Sequence, residues 1–182
     1  MKSRDELIAA LGQGARFDYL HFWGHRPSAS SAVTKSCFSQ WFVAPFEHEG
    51  CRYATAEHFM MARKAELFGD LECQEKILQT DDPSKAKALG RRVRGFDEQR
   101  WLDHRWQIVV TANHLKFDQN GELKEFLLAT GNKILVEASP VDSIWGIGLA
   151  ADAPEASNPF AWKGLNLLGF ALMEVRALLA GP

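Results

Sequence analysis

The chain has 182 residues, of which 46% are hydrophobic, and a formal net charge of −2, so it has the size of one globular domain with a sizeable core. No apolar run reaches the ~18 residues of a membrane span, and the chain opens without the apolar core of a signal peptide, so we expect a soluble, cytoplasmic protein with no membrane partner. The charge excludes a broadly basic nucleic-acid binder, and three widely spaced cysteines argue against a disulfide framework or a zinc pair.

The first part of the chain predicts one helix and several short strands. Residues 3–12 form an amphipathic helix that begins at Ser3 and ends at Gly12, and we interpret residues 1–16 as an N-terminal helical extension. The serine-rich segment 26–36 predicts a loop. Aromatic and β-branched segments predict strands at residues 17–23, 38–43 and 50–53.

The rest of the chain predicts mainly helices. Caps, apolar spacing and helix breakers predict them at residues 55–78 (in broken form), 82–90, 97–120, 122–130 and 164–180. Residues 133–138 have a continuous apolar centre and predict a strand that is buried on both sides.

The segment from Arg52 to Lys64 is the first candidate for chemistry. Thr55 is a suitable N-cap, which places Glu57 at about the second helical position. Lys64 follows seven residues later on the same face, with its Cα atom ~10 Å along the axis from that of Glu57. We expect the two side chains to converge, although an ordinary exposed pair would have the same spacing.

A second candidate lies after the buried strand, at residues 142–148. Asp142 supplies a second carboxylate, Trp145 offers a stacking plane, and Gly146 and Gly148 allow a close approach of the backbone. The alternative is a turn in which Asp142 binds nearby backbone amides and Trp145 packs in the core.

Arginines follow Gly90 at positions 91, 92 and 94, and their forked donors suit a phosphate group. Cations at a helix C-terminus are also favourable without a ligand. A further anion site is expected at residues 163–166, before the last helix.

The histidines do not predict a metal site. His21 and His25 are four residues apart, but the intervening Phe-Trp-Gly argues against a helix that would align them. His58 lies beside Glu57 but points about 100° away from it on the helix, so we interpret it as a hydrogen-bonded structural residue.

Six motifs, in order along the chain, resemble the NADAR family, also called YbiA-like. They are FSQWF (38–42), ATAEHF (54–59), ALGR (88–91), LVE (135–137), DSIWG (142–146) and GLNLLGFALMEVR (164–176). The resemblance covers about residues 17–178, and we place the family domain at 17–182. It implies an α+β fold: a compact, largely helical single domain with a few short strands and no cofactor.

The resemblance also implies an activity. Members of the family cleave the bond between ribose C1 and nitrogen in phosphoribosylamino-pyrimidine intermediates of riboflavin synthesis, and some relatives remove ADP-ribose from modified guanine in nucleic acid. The expected partner is therefore a small phosphorylated ribosyl compound, with ADP-ribosylated nucleic acid as an alternative. A non-catalytic ADP-ribose or nucleotide binder remains a third reading. The oligomeric state stays open.

The residues and the resemblance together assign the candidate site. The catalytic residues are Glu57, Lys64 and Asp142. The substrate-binding residues are Trp101, Trp145, Gly146, Arg91, Arg92, Lys163 and Asn166. The chain departs from the family pattern in longer loops at 26–36 and 150–162, which leaves the substrate open.

Two mechanisms fit these residues. Cleavage develops positive charge on the sugar, which an ionised Glu57 at a helix N-terminus would stabilise, or Glu57 would activate water. Alternatively, the ribosyl ring opens and Lys64 attacks C1 to form an imine. That attack needs a deprotonated amine, which burial or the neighbouring Arg63 would favour and Glu57 would oppose. Either Lys64 or Asp142 must then supply the proton for the leaving amine.

Overall fold

The computed structural model describes residues 1–27 and 32–181. In this part of the chain it has seven α-helices, four short strands and two short 3₁₀ helices. The helices are α1 (Arg4–Gly12), α2 (Ala56–Leu67), α3 (Leu71–Leu78), α4 (Pro83–Gly90), α5 (Glu98–Asp118), α6 (Gly121–Leu128) and α7 (Leu167–Ala180). The strands are β1 (Tyr19–Phe22), β2 (Phe46–His48), β3 (Cys51–Tyr53) and β4 (Ile134–Glu137).

This content confirms the predicted α+β class, which is largely helical with few strands. None of the helices in the described ranges is long and apolar enough to cross a bilayer.

The chain divides into two compact units, each defined by the contacts within it. The first unit comprises Met1–Ser39 and Glu122–Pro182, and the second comprises Gln40–Gly121.

The core of the first unit forms around a two-stranded parallel sheet. β1 pairs with β4 from Tyr19 opposite Ile134 to Phe22 opposite Glu137. The first three residues of β4 are almost completely buried, which confirms the burial predicted from its apolar centre. α7 packs against β4. This close packing requires Gly169, because a Cβ atom there would collide with the carbonyl oxygen of Leu135.

The predicted N-terminal helix is present and packs within the first unit. Ser3 caps α1 by accepting a hydrogen bond from the backbone of Glu6, as its position predicts. Leu7 is fully buried, and the Arg4 guanidinium donates to the carbonyl oxygen of Trp162. α1 is therefore held to the long loop at 150–162.

That loop is itself well anchored. Trp162 is buried, and its indole nitrogen donates to the carbonyl oxygen of Ala156 at 2.8 Å. The same oxygen lies 3.1 Å from Nε2 of His21 on β1. The loop at 150–162 is thus packed onto the sheet of its own unit.

The second unit is built around α2, which packs against α3, α4 and α5. The predicted break in the helix at 55–78 occurs at Gly69, whose φ of 74° lies in the left-handed region. Gly90 lets the end of α4 lie close to α2, because a Cβ atom at this position would collide with Sδ of Met61. The last carbonyl groups of α4 are thereby brought to the middle of α2.

The strand predicted at 38–43 is wrong. The structure has a 3₁₀ helix at Lys35–Phe38 followed by a turn, and it has a strand at β2 that the sequence analysis missed. The physical reason lies at Gln40, whose carbonyl oxygen accepts from the backbone of Glu57 and whose side chain accepts from Asn113. The backbone carbonyl group is thus used at the start of α2 and is not free for a β-ladder, while the side chain fixes the loop.

Two other boundaries differ from prediction. The last helix begins at Leu167 and not at 164, because the preceding residues are tied by backbone hydrogen bonds to the segment around Gly146. In the loop predicted at 26–36, residues 28–31 lie outside the described ranges, and its last two residues belong to the 3₁₀ helix.

Candidate active site

Glu57 lies at the second position of α2, as its spacing from the N-cap predicts. Thr55 caps the helix, with its hydroxyl oxygen 3.4 Å from the backbone nitrogen of His58. The side chain of Glu57 is buried, with 3% of the residue exposed. A carboxylate here is favoured by the positive end of the helix dipole.

His58 has the structural role that the sequence predicts. Its ring is buried, and Nδ1 lies 2.8 Å from the hydroxyl oxygen of the capping Thr55. Burial lowers the pKa of His58, although the backbone of Thr80 and the acidic Asp81 and Asp82 oppose this shift. The ring therefore helps to fix the start of α2.

The amine of Lys64 has contacts that differ from those of an ordinary surface lysine. Its Nζ donates to the carbonyl oxygen of Gly90 at 2.9 Å and lies over two aromatic rings, 4.4 Å from the centroid of Phe96 and 5.4 Å from that of Trp101. Among the described residues Lys64 forms no ion pair, and so none with Glu57. The amine is half-buried and is surrounded by one carbonyl group and two rings.

These surroundings change the acidity of the amine. Burial has the largest effect and lowers the pKa of Lys64, and the nearby cation of Arg91 lowers it further, whereas Cys73 has the opposite effect. The cationic neighbour is thus Arg91 and not Arg63, which the sequence analysis named. Arg63 donates to two surface carboxylates.

The three arginines after α4 have different surroundings. Arg94 donates to Asp70 at 2.6 Å and to Glu72 at 3.1 Å. Its side-chain bond to Asp70, with a second bond from its backbone, holds the pKa of the Asp70 carboxyl well below its usual range. Arg91 and Arg92 are exposed, and in the described ranges neither forms an ion pair. Arg94 is therefore a structural link, whereas Arg91 and Arg92 are available to an anion.

Asp142, in the first unit, forms the turn that the sequence analysis gave as its alternative reading. One carboxylate oxygen accepts from the backbone of Ile144 at 2.9 Å and of Trp145 at 2.8 Å. A Cβ atom on Gly146 would lie 2.8 Å from the carbonyl oxygen of Glu137, so glycine is needed for this packing. Asp142 and Trp145 are each partly exposed, and their assignment to the site stays a prediction.

Lys163 and Asn166 precede α7 but have different exposure. Lys163 is exposed, whereas Asn166 is fully buried with a left-handed φ of 55°. The Asn166 amide accepts from the backbone of Glu137 and donates to the carbonyl oxygen of Leu135, both at 2.9 Å. These contacts show that its side chain joins the start of α7 to β4.

The sequence analysis missed two residues that surround Lys64. Gly90 belongs to the ALGR motif, in which only Arg91 is predicted to bind substrate, and Phe96 lies outside all six motifs. A local signal for Phe96 exists: it precedes Asp97, the N-cap of α5, and Trp101 lies at the fourth helical position. Apolar residues at these two positions often pack together in a hydrophobic staple.

In the described part of the chain, no group of three His, Cys, Asp or Glu side chains is arranged to hold a metal ion. The residues that the sequence predicts for the site belong to both units. In the second unit these are Glu57, Lys64, Trp101, Arg91 and Arg92, and in the first unit they are Asp142, Trp145, Gly146, Lys163 and Asn166.

Comparison with known proteins supports the resemblance drawn from the motifs. The model of the NADAR domain family matches residues 21–180. The chain is 48% identical over 144 residues to N-glycosidase R617 of Acanthamoeba polyphaga mimivirus, covering 76% of this chain and 85% of that protein. It is 33% identical over 143 residues to N-glycosidase YbiA of Escherichia coli, covering 79% and 81% respectively.

A solved structure gives the same result for the fold. The NMR structure of the E. coli protein YbiA is similar with a TM-score of 0.71 at 30% sequence identity, and the match covers 91% of this chain and 88% of that one. The family model spans residues of both units, and the relatives match over most of their own length. The chain therefore belongs to the NADAR domain family.

Proposed function

We propose that this N-glycosidase of the NADAR family hydrolyses the bond between C1 of ribose and the amine nitrogen of phosphoribosylamino-pyrimidines or closely related ribosyl compounds. The observation that carries the proposal is the state of Lys64. Its half-buried amine is held by the carbonyl oxygen of Gly90 and has no ion pair among the described residues, on the same helix as the buried Glu57.

Lys64 is assigned the role of nucleophile. When the leaving group is an amine, the ribosyl ring opens: the C1–O bond breaks, the ring oxygen takes a proton, and C1 becomes doubly bonded to nitrogen. The neutral amine of Lys64 then adds to C1, and the substrate amine leaves with a proton. Water hydrolyses the resulting lysine imine to the free aldehyde of the sugar and restores the enzyme.

The lowered pKa of Lys64 supports this role. An ordinary lysine has a pKa of about 10.4 and is almost wholly protonated near neutral pH. Burial and Arg91 shift Lys64 toward the neutral form that attacks carbon. An ion-paired carboxylate would have the opposite effect, and the absence of one among the described neighbours favours the amine as a nucleophile.

Glu57 is assigned to the developing positive charge at C1. Its position at the second residue of α2 favours the ionised form through the helix dipole. An ionised, buried carboxylate stabilises a cationic transition state more effectively than one in water, because the surrounding dielectric is lower. The same group would serve as the base that activates water for hydrolysis of the imine.

Arg91 and Arg92 are assigned to the phosphate group. Both are exposed, and Arg91 directly follows Gly90, whose carbonyl oxygen binds Lys64. A guanidinium group offers a forked pair of donors that matches phosphate oxygens. Arg94 is excluded from this role because its guanidinium is bonded to Asp70 and Glu72.

The remaining assignments rest on the family resemblance. We propose Asp142 as the second acid, since one of its carboxylate oxygens is used by the backbone of its own turn and the other forms no hydrogen bond within the described residues. Trp101, Trp145, Gly146 and Lys163 are proposed as substrate-binding residues. Asn166 is kept as a proposed binding residue, with its amide already engaged by β4.

The test is to incubate the purified protein separately with a phosphoribosylamino-pyrimidine and with an oligonucleotide that carries ADP-ribosylated guanine. Mass spectrometry then reports the freed base and the freed sugar. Release from the first substrate alone supports the proposal. Release only from the oligonucleotide replaces it with ADP-ribosyl hydrolysis, and tight binding of ADP-ribose without release from either substrate indicates a non-catalytic binder.

A further inference from the structure

We propose that Phe96 is a positioning residue for Lys64 that also offers a stacking surface to the planar base of the substrate. No sequence motif assigns this residue, and its place beside the amine is visible only in the structure. The inference rests on the proposed role of Lys64. The part of the substrate that Phe96 would contact is the aromatic ring system attached to the ribosyl nitrogen.

The geometry places Phe96 against the amine. The centroid of its ring lies 4.4 Å from Nζ of Lys64, and that of Trp101 lies 5.4 Å from the same atom. Both distances fall within the ~6 Å over which a cation is attracted to the negative face of a ring. With Gly90 accepting one hydrogen bond, the amine is fixed on several sides.

Local structure keeps the Phe96 ring in place. Asp97 caps α5 by accepting from the backbone of Arg100 at 2.7 Å, so Phe96 and Trp101 occupy the two staple positions of this helix start. The ring of Phe68, at the C-cap of α2, meets Phe96 edge-on with centroids 5.3 Å apart. The ring is therefore held by the start of one helix and the end of another.

Packing alone does not account for the exposure of Phe96. The residue is 48% exposed, although it touches both Phe68 and Lys64. A ring that is fixed in orientation but half open to solvent presents a ready stacking surface, and bases stack favourably on aromatic side chains. A base bonded to C1 would lie close to Lys64, because that amine attacks C1.

The ring also affects the charge of the reacting group. Cation–π attraction favours the protonated amine and, after attack on C1, the cationic iminium form of the intermediate. Phe96 therefore opposes the effect of burial on free Lys64 but stabilises the intermediate that follows. Replacement by a non-aromatic side chain should remove both effects while keeping an apolar residue at the staple position.

The first test measures the Lys64 contact without any substrate. Reductive methylation with ¹³C-formaldehyde labels the lysines and keeps their charge, and the Lys64→Arg variant identifies the Lys64 signal in NMR spectra. We expect Phe96→Leu to lower the pKa of Lys64 by about half a unit and to reduce the ring-current shift to the part that Trp101 contributes. Phe96→Tyr should retain both properties, and Leu102→Ala, which removes exposed apolar surface next to Trp101, should leave them unchanged.

Phe96→Met is a second non-aromatic replacement, for use if the leucine variant does not fold. An unchanged Lys64 titration and chemical shift in a folded non-aromatic variant would overturn the positioning role. Because no turnover is involved, this result stands even if the protein proves inactive toward every ribosyl substrate. Failure of the proposed function is thereby distinguished from failure of the proposal for Phe96.

The second test concerns the base. In Phe96→Leu we expect KM for a phosphoribosylamino-pyrimidine to rise about five- to tenfold. The inhibition constant of 1,4-anhydroribitol 5-phosphate, which has neither a base nor an aldehyde that could react with Lys64, should stay the same. Equal increases in both constants, or an unchanged KM, would contradict the stacking role.

Discussion

The amine of Lys64 donates a hydrogen bond to the carbonyl oxygen of Gly90, so the middle of α2 is joined to the last residue of α4. This contact depends on the absence of a side chain at Gly90, where a Cβ atom would collide with Met61. The glycine of the ALGR motif thus allows α4 to lie against α2, and Arg91, which follows it, is brought close to the amine.

Replacement of Glu57 by glutamine should lower turnover by a factor of ~100 or more, because the amide keeps the shape but not the charge that stabilises C1. The far-ultraviolet circular dichroism spectrum should stay that of the wild type. Glu66→Gln is a matched control on the same helix, since Glu66 is exposed and bonds to Arg63 at the surface. Near-wild-type turnover in Glu57→Gln would remove this carboxylate from the mechanism.

Borohydride added during turnover should trap a covalent sugar adduct on Lys64, since the imine is reduced to a stable secondary amine. Peptide mass spectrometry locates the adduct. Lys85→Arg, at an exposed position of α4, should be labelled like the wild type, whereas Lys64→Arg should show no adduct. An active enzyme from which no adduct is recovered would favour direct attack of water assisted by Glu57.

Much of the fold follows from local signals in the sequence. The caps Thr55, Asp82 and Asp97 each precede a helix at the predicted position, because a short polar side chain there satisfies a free backbone amide. The segment 38–43 has the aromatic composition of a strand but forms a turn. Its Gln40 binds Glu57 and Asn113, which are distant in sequence, and no local pattern contains that information.

Less of the candidate site than of the fold could be predicted from the sequence. The motif spacing correctly gave Glu57 its place at the helix start and Lys64 its place on the same helix. It did not give the direction of the Lys64 side chain, which depends on the approach of α4 through Gly90 and on the ring of Phe96. Contacts of this kind arise between elements, so they become visible only when the helices are packed.

Arg91→Ala should mainly raise KM for phosphorylated substrates and leave kcat within a few-fold, because phosphate binding is equally strong in the ground state and the transition state. A substrate that lacks the phosphate should keep its KM and show only the small decrease in kcat expected when the pKa of Lys64 loses the lowering effect of Arg91. An equal rise in its KM would contradict the assignment. Arg94→Ala provides the contrast. It should lower the melting temperature, since it leaves the carboxylate of Asp70 without its guanidinium partner.

His58 should make the free energy of unfolding depend on pH. Its pKa in the folded protein is lowered by burial, so the unfolded chain, with a histidine pKa of about 6.5, takes up a proton first as the pH falls. The stability is therefore fully present above about pH 6.5 and decreases below it, toward the lower pKa of the folded state. The slope from this residue is at most ~1.4 kcal/mol per pH unit.

Urea denaturation of the wild type and of His58→Gln, from about pH 7.5 to about pH 5.5, measures this contribution. The variant should be less stable throughout but should show a smaller loss of stability toward low pH. His104→Gln is the control, because that ring is exposed at the surface of α5. Identical slopes in His58→Gln and the wild type would contradict the assignment of the pH dependence to His58.

Asn166→Ala should destabilise the protein by about 2–4 kcal/mol, because it removes two buried hydrogen bonds and leaves the backbone groups of Leu135 and Glu137 without these partners. The left-handed φ of 55° adds to the cost, since alanine adopts this region less readily than asparagine. Urea denaturation measures the loss. Asn166→Gly relieves the backbone strain but not the lost hydrogen bonds, so it should recover only part of the stability. A variant as stable as the wild type, with reduced substrate affinity, would instead make Asn166 a binding residue.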